Sequence, residues 1–319
     1  MNDIAIVTGG AGFIGSHLCD QLLNDYHVVC VDNLSTGKRE NIEHVESLDQ
    51  YSFVEHDLKE PLSTSLRNAN IPIKEISRVY HLASRASPKD FEKYPVDIAW
   101  SSAAGTRNAL ELAREVDARL LLVSTSEVYG DPKQHPQSES YNGNVDIRGP
   151  RSCYDERKRY SETLASAYIR EYDVDVRTVR PFNTYGPRMR ENDGRVIPNF
   201  LTQALNNQPL TVYGDGSQTR SFLYVSDQVQ GMVRLMEHPE LAGEVMNIGS
   251  THEITIRELA ETVLDVVDTE SKVTRKPLPK GDPQRRQPDI SRADRLLNWE
   301  PTIDLRQGLR KTIESFSSP

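Results

Sequence analysis

Apolar residues in the first half of the chain fall into short blocks separated by stretches with helical spacing. Residues 4–8 form a compact apolar run, and Phe13, Ile14, Leu18, Leu22 and Leu23 then recur at the three- and four-residue intervals of one helix face. Further strand-like runs at 28–31, 53–58, 78–84 and 120–123 alternate with apolar stripes at 106–116 and 154–172 that predict helices. Such alternation predicts a parallel sheet covered on both faces, its strands joined by right-handed crossovers. The expected fold class is therefore α/β, a doubly wound parallel sheet of the Rossmann kind.

After Arg180-Pro181-Phe182-Asn183 the pattern breaks into segments punctuated by Pro and Gly, such as Tyr185-Gly186-Pro187-Arg188 and Tyr213-Gly214-Asp215-Gly216. These are turn chemistries. They predict a smaller, discontinuous C-terminal substrate lobe, with strands at 221–225 and 245–248 returning to the main sheet. The division expected is residues 1–180 plus about 220–250 for a dinucleotide, and about 181–219 plus 251–319 for the substrate.

Composition narrows the function. At 319 residues the chain can bury a sizeable core, and a net charge of −9 with a pI near 5.5 disfavours nucleic acid as a partner. No apolar stretch is long enough to span a bilayer, and the first strand starts without a basic and apolar leader, so a cytoplasmic protein is expected. Cys19, Cys30 and Cys153 lack metal-type spacing, and neither a disulfide framework nor a metal site is expected. Arginine outnumbers lysine, and its planar fork suits diphosphate or carboxylate recognition at Arg220, Arg285 and Arg286.

The glycines of Gly9-Gly10-Ala11-Gly12-Phe13-Ile14-Gly15 lie between the first strand and the first helix. Glycine permits a tight turn there and lets backbone approach a pyrophosphate at the positive end of the helix. The second strand ends in Asp32-Asn33, where a carboxylate accepts hydrogen bonds from an adenosine ribose and repels a 2′-phosphate, which favours NAD over NADP. Asp57 and Leu58 are expected beside the adenine. Leu82, Ala83 and Ser84 end the next strand in small residues that leave room for a cofactor.

Downstream, Thr125, Tyr154 and Lys158 are the residue types needed to take a hydride and a proton from a secondary alcohol. Thr125 can orient the hydroxyl and Tyr154 can accept its proton. Lys158, one helical turn on, can stabilise the phenolate and bond a nicotinamide ribose.

With these residues in hand, the chain resembles the extended short-chain dehydrogenases/reductases of the nucleotide-sugar class, the NAD-dependent epimerase/dehydratase family. Within it the resemblance is greatest to the UDP-glucuronate decarboxylases. It covers nearly the whole chain and is sharpest at 124–132, 149–156, 182–189, 193–196, 210–214 and 282–289. The triplet Thr125-Ser126-Glu127 is the most discriminating, since dehydratases of the family typically carry Thr-Asp-Glu there and 4-epimerases small or hydroxyl residues in place of the glutamate. The resemblance implies oxidation at C4 of UDP-glucuronate by NAD, loss of C6 as carbon dioxide from the resulting β-keto acid, and re-reduction to UDP-xylose. It further implies that Ser126 and Glu127 act near C5 and C6, that Arg286 supports decarboxylation or reprotonation, and that Arg220 holds the diphosphate. Tyr213 would meet the uridine end, Asn183 would position the nucleotide-sugar, and the protein would be a homodimer.

This sequence departs from the family pattern in three places. Arg85 stands where proline usually follows His-Leu-Ala-Ser, Ser102 where asparagine is usual, and Arg157 where glycine is usual inside Tyr-x-x-x-Lys. Arg85 is expected to point away from the substrate. Three alternatives stay open: a nucleotide-sugar 4-epimerase or 4,6-dehydratase, a decarboxylase that releases the 4-keto pentose, and a dinucleotide-sensing regulator without catalysis.

Overall fold

A computed structural model describes residues 3–191, 193–278 and 285–317, with the side chain of residue 317 left out. Asp282, Pro283 and Gln284, part of one of the motifs above, lie outside the described residues. Seven parallel strands form the central sheet: β1 (Ile4–Thr8), β2 (His27–Asp32), β3 (Tyr51–Glu55), β4 (Ile76–His81), β5 (Arg119–Val123), β6 (Val176–Pro181) and a seventh, Val245–Ile248. Their spatial order is β3-β2-β1-β4-β5-β6 followed by Val245–Ile248, the doubly wound arrangement expected. The order reverses at β1, so the crevice at the strand carboxyl ends opens beside the β1 and β4 termini.

Burial on both faces explains the unbroken apolar character of the strands. All of Ile4–Thr8 is buried, and apolar side chains pack on each side of the sheet, Leu18 and Leu22 on one face and Leu110 and Leu112 on the other. Each such side chain contributes on the order of 1.5–3 kcal/mol when fully buried.

Several boundaries differ from the sequence expectation. The run expected at 53–58 forms a strand only as far as Glu55, and the one at 78–84 ends at His81, which leaves Asp57, Leu58, Leu82, Ala83 and Ser84 just past the strand ends. The helix expected at 106–116 begins at Pro95, with proline in its first turn. Its N-terminal half exposes Val96 and Trp100, which breaks the apolar stripe by which helices are read. Val245–Ile248 joins the main sheet beside β6, but 221–225 does not: Thr219–Ser221 pairs with Glu253–Thr255 and Arg285–Arg286, Leu223–Tyr224 pairs with Thr184–Tyr185, and Val225 starts a helix. Short side sheets satisfy the backbone groups of these segments.

The C-terminal segment is anchored by one buried carboxylate. Asp227 accepts hydrogen bonds from the backbone N–H groups of Thr302 and Ile303 and from the Thr302 hydroxyl, and Trp299, fully buried, donates to the Asp227 carbonyl.

Candidate active site

A single cleft of about 960 Å³ runs from the glycine turn across the ends of β1, β4 and β5 to the side sheets. At its inner end, Gly9 has φ +73° and a Cβ there would lie 2.8 Å from the Ala83 backbone, while a Cβ on Gly15 would lie 2.1 Å from the Gly9 carbonyl oxygen. Only glycine fits such contacts. The helix Phe13–Leu22 that follows has no side-chain cap, so its first-turn N–H groups face the cleft mouth without a competing side chain. Phe13 and Ile14 line the cleft beside them.

Asp32 is buried at the end of β2, and its two carboxylate oxygens accept from the Ala11 and Leu34 N–H groups at 3.1 and 2.8 Å. Burial pushes its pKa up while these N–H donors pull it down. Asn33, Asp57, Leu58, Leu82, Ala83 and Ser84 also line this end. Arg39 is paired with Glu46 at 2.9 Å and lies over the Phe53 ring. The donor set fits a dinucleotide with free adenosine ribose hydroxyls.

The catalytic candidates converge where β5 ends. Thr125 caps the short 3-10 turn Ser126–Tyr129, accepting from the Glu127 N–H at 3.2 Å, and this turn aims Ser126 and Glu127 into the cleft. The long helix Ser152–Tyr172 supplies Tyr154 and Lys158 from one face, both almost fully buried. Tyr154 stacks on Phe91 with ring centroids 4.8 Å apart. Lys158 donates to the Val123 carbonyl at 2.6 Å. Burial pulls its pKa down to about 7, with the Arg157 charge adding to the effect and Glu162 opposing it.

The phenol does not meet the sequence expectation of a lowered pKa. Burial raises it, and that effect outweighs Arg157, a hydrogen bond with Thr125 and Arg195, all of which pull it down. Behind the lysine, His81 shares hydrogen bonds with Thr8 at 2.9 Å and Thr106 at 3.4 Å, and burial followed by the Lys158 charge lowers its pKa to about 3. It is therefore a neutral spacer.

Glu127 is gripped from two sides. Arg286 donates to one oxygen and Arg151 pairs with the other at 2.7 Å. Burial pushes the carboxyl up, but Arg286 and Arg151 hold it down to about 2. Two guanidinium groups thus face one carboxylate at this wall. Arg286 also donates to the Gly130 carbonyl at 3.2 Å and is 3% exposed, whereas the Arg285 side chain is 59% exposed and reaches only Glu253. Strand alternation turns Arg286 inward and Arg285 outward.

Arg220 pairs across from Arg286 in the side sheet and lines the cleft, as do Tyr213 and Asn183, the latter donating to the Ser221 carbonyl at 3.1 Å. Arg85, expected to point away, lies in the cleft wall between Asp97 at 3.7 Å and the Tyr94 ring. Ser102 is buried within the Pro95–Val116 helix. Cys153 packs near the Phe91 carbonyl.

Two residues in quoted motifs had been given no role by sequence. Arg151 completes the Glu127 clamp. Asp155 is buried beside it, with one oxygen lacking a partner, and burial and then the Glu127 charge push its pKa up to about 7. Their proximity to Glu127 depends on the fold and leaves no spacing signal. Among the described residues no His, Cys, Asp or Glu cluster could hold a metal ion.

Residues 5–249 match the NAD dependent epimerase/dehydratase family. The chain is 49% identical over 312 residues to UDP-glucuronic acid decarboxylase 1 of Arabidopsis thaliana, covering 98% of this chain and 69% of that protein. Among solved structures, a UDP-glucose 4-epimerase of Thermotoga maritima with UDP-glucose superposes with a TM-score of 0.89 at 30% identity, covering 98% of both chains. A UDP-glucuronic acid 4-epimerase from Bacillus cereus in complex with UDP-glucuronic acid and NAD gives 0.85 at 31% identity, again over 98% of both chains.

Proposed function

The chain belongs to the NAD dependent epimerase/dehydratase family, and on that premise we propose that it decarboxylates UDP-glucuronate to UDP-xylose with NAD as a resident cofactor. The observation that carries this reading is Glu127 held between Arg151 and Arg286 beside the Tyr154 and Lys158 pair. An alcohol-oxidising pair alone would serve an epimerase equally well. A wall with two guanidinium groups suits a sugar that brings its own carboxylate.

Residues 1–180 with about 220–250 would hold the dinucleotide, through Gly9, Gly12, Phe13, Ile14, Gly15, Asp32, Asn33, Asp57, Leu58, Leu82, Ala83 and Ser84. Residues of about 181–219 with 251–319 would hold the nucleotide-sugar. With NAD bound there, its nicotinamide would supply the hydride acceptor for oxidation at C4 and the donor for the later re-reduction. Tyr154 Oη takes the C4 hydroxyl proton, Thr125 Oγ1 orients that hydroxyl, and the Lys158 ammonium stabilises the phenolate. Arg286 and Arg151 would face the C6 carboxylate, and when carbon dioxide leaves, the electron pair of the C5–C6 bond passes to the C4 ketone as an enolate. Ser126 and Glu127 would act near C5 and C6, in the loss of carbon dioxide and in the proton returned to C5. Arg220 takes the diphosphate by its fork, with Asn183 and Tyr213 further along.

The same helices support a homodimer. Val96 and Trp100 on one long helix and Tyr160 on the other are 80%, 65% and 49% exposed, and these helices pack side by side. No helix among the described residues is long and apolar enough to cross a membrane. A cytoplasmic location is part of the proposal and is checked by cell fractionation.

The test is incubation of purified protein with UDP-glucuronate, with and without added NAD, with product identification by mass and NMR. Carbon dioxide and UDP-xylose without net nicotinamide reduction support the full cycle. Carbon dioxide with a 4-keto pentose makes it a decarboxylase that releases its intermediate. Epimerised UDP-glucuronate without carbon dioxide overturns the reading.

A further inference from the structure

Arg157 is the least expected charge in the active site. It sits between Tyr154 and Lys158 in sequence, where this family usually has glycine, and it is 4% exposed. Burying a lone guanidinium costs free energy unless acceptors satisfy it, and the Nε of Arg157 has no hydrogen-bond partner among the described residues. Here one terminal nitrogen donates to the Ile98 carbonyl at 3.2 Å, and the other to the Ser84 hydroxyl at 2.8 Å and the Arg85 carbonyl at 2.5 Å. No carboxylate pairs with it in these contacts. Its carbon centre lies 4.6 Å from the centroid of the Tyr154 ring.

The anchors matter as much as the charge. Ser84 and Arg85 belong to the segment after β4 that lines the cofactor end, and Ile98 lies in the first turns of the Pro95–Val116 helix. One side chain thus ties the base-bearing helix to the floor of the cleft and to its neighbouring helix. A cation over an aromatic face is attracted to the ring, and more strongly once the ring carries a phenolate charge.

We propose that Arg157 is a positioning residue for alcohol oxidation: it locks the Tyr154 ring against the cleft floor and supplies a fixed positive charge to the phenolate from the ring face. The inference rests on the assignment of Tyr154 as base made above. It adds to Lys158 a cation that does not lose its charge at working pH.

The electrostatic surroundings agree. From its own helix Tyr154 faces Arg157; from the end of β5 it faces Thr125 and Glu127; from the segment before the Val196–Leu205 helix it faces Arg195. Of these, Arg157 pulls the phenol down most, and only Glu127 pushes it up. Lys158 faces Arg157, which lowers its pKa, and Glu162, which raises it. Removing the Arg157 charge therefore moves both the phenol and the ammonium toward higher pH.

The experiment compares the wild type with Arg157→Gln and Arg157→Gly, the latter restoring the residue usual in the family. The pH dependence of turnover with UDP-glucuronate is measured together with the Tyr154 titration, read by NMR of ring-labelled tyrosine and assigned with Tyr154→Phe. The expected result is an alkaline shift of both by about one pH unit, with turnover at neutral pH falling about tenfold and the KM changing little. An Arg157→Lys variant should recover most of the shift but not the full rate, because an ammonium cannot reach three anchors. Variants that lose thermal stability while keeping the wild-type profile and tyrosine titration would reduce Arg157 to a structural clamp and overturn the proposal. Wild-type protein that leaves UDP-glucuronate untouched would sink the functional reading instead, while the NMR titration would still report on Arg157.

Discussion

The two ends of the cleft are built from different materials. At the cofactor end the shape comes from backbone: glycines whose missing Cβ atoms leave room, a helix start without a side-chain cap, and Asp32 held by two N–H groups. At the sugar end it comes from long side chains, with Glu127 brought to Arg151 and Arg286 from distant positions and Arg157 laid over Tyr154 on their shared helix. A backbone site fixes what every member of such a family shares, because it depends on turn geometry. A side-chain site can be rewritten by a few substitutions, and the choice among epimerisation, dehydration and decarboxylation belongs there.

The sharpest way to separate the ends is to remove the base. Tyr154→Phe should lower turnover by between about a hundredfold and ten thousandfold while leaving NAD content and melting temperature near wild type. A fully active variant would falsify the assignment. Gly15→Ala attacks the other end, since its Cβ would fall 2.1 Å from the Gly9 carbonyl oxygen. It should weaken retained NAD by about tenfold or more, seen as cofactor lost on gel filtration, with turnover restored by excess NAD. Tight retention of NAD by this variant would break the contrast between the two ends.

Glu127 also makes a prediction about acid stability. Its carboxyl is held at about 2, below the ordinary carboxylate range, so its contribution is present above that ordinary range and is lost as pH falls toward 2. The melting temperature of the wild type should thus drop more steeply between about pH 5 and pH 2 than that of Glu127→Gln. Parallel curves would mean that the two arginine pairs contribute nothing to folding. The smallest effect belongs to Arg285, whose side chain is exposed and paired only at the surface. Arg285→Ala should change turnover by less than about threefold, against a far larger loss for Arg286→Ala; equal losses would contradict the inward register of Arg286.

How much of this was legible in the sequence follows the same division. The glycine turn, Asp32, and Tyr154 with Lys158 are local patterns, and spacing alone places them on a strand end, a turn or a helix face. Strand ends were read too far, because Leu58, and Leu82 with Ala83, carry the apolar pattern on after the ladder has stopped at Glu55 and His81. The start of the Pro95–Val116 helix was missed because exposed Val96 and Trp100 interrupt its stripe. The Arg151 clamp and the Arg157 bridge could not be read at all. Each depends on contacts that only the folded chain creates, such as the pairing of Arg286 with Arg220 in a short side sheet.

The central claim is that the charged end of the cleft, and not the cofactor end, makes this a decarboxylase. The most direct measurement follows carbon dioxide release and nicotinamide reduction together in the wild type and Glu127→Gln supplied with UDP-glucuronate. The account predicts that the variant binds NAD normally and still reduces it, while carbon dioxide release falls on the order of a hundredfold. Carbon dioxide released at the wild-type rate, or a variant that no longer binds NAD, would contradict it.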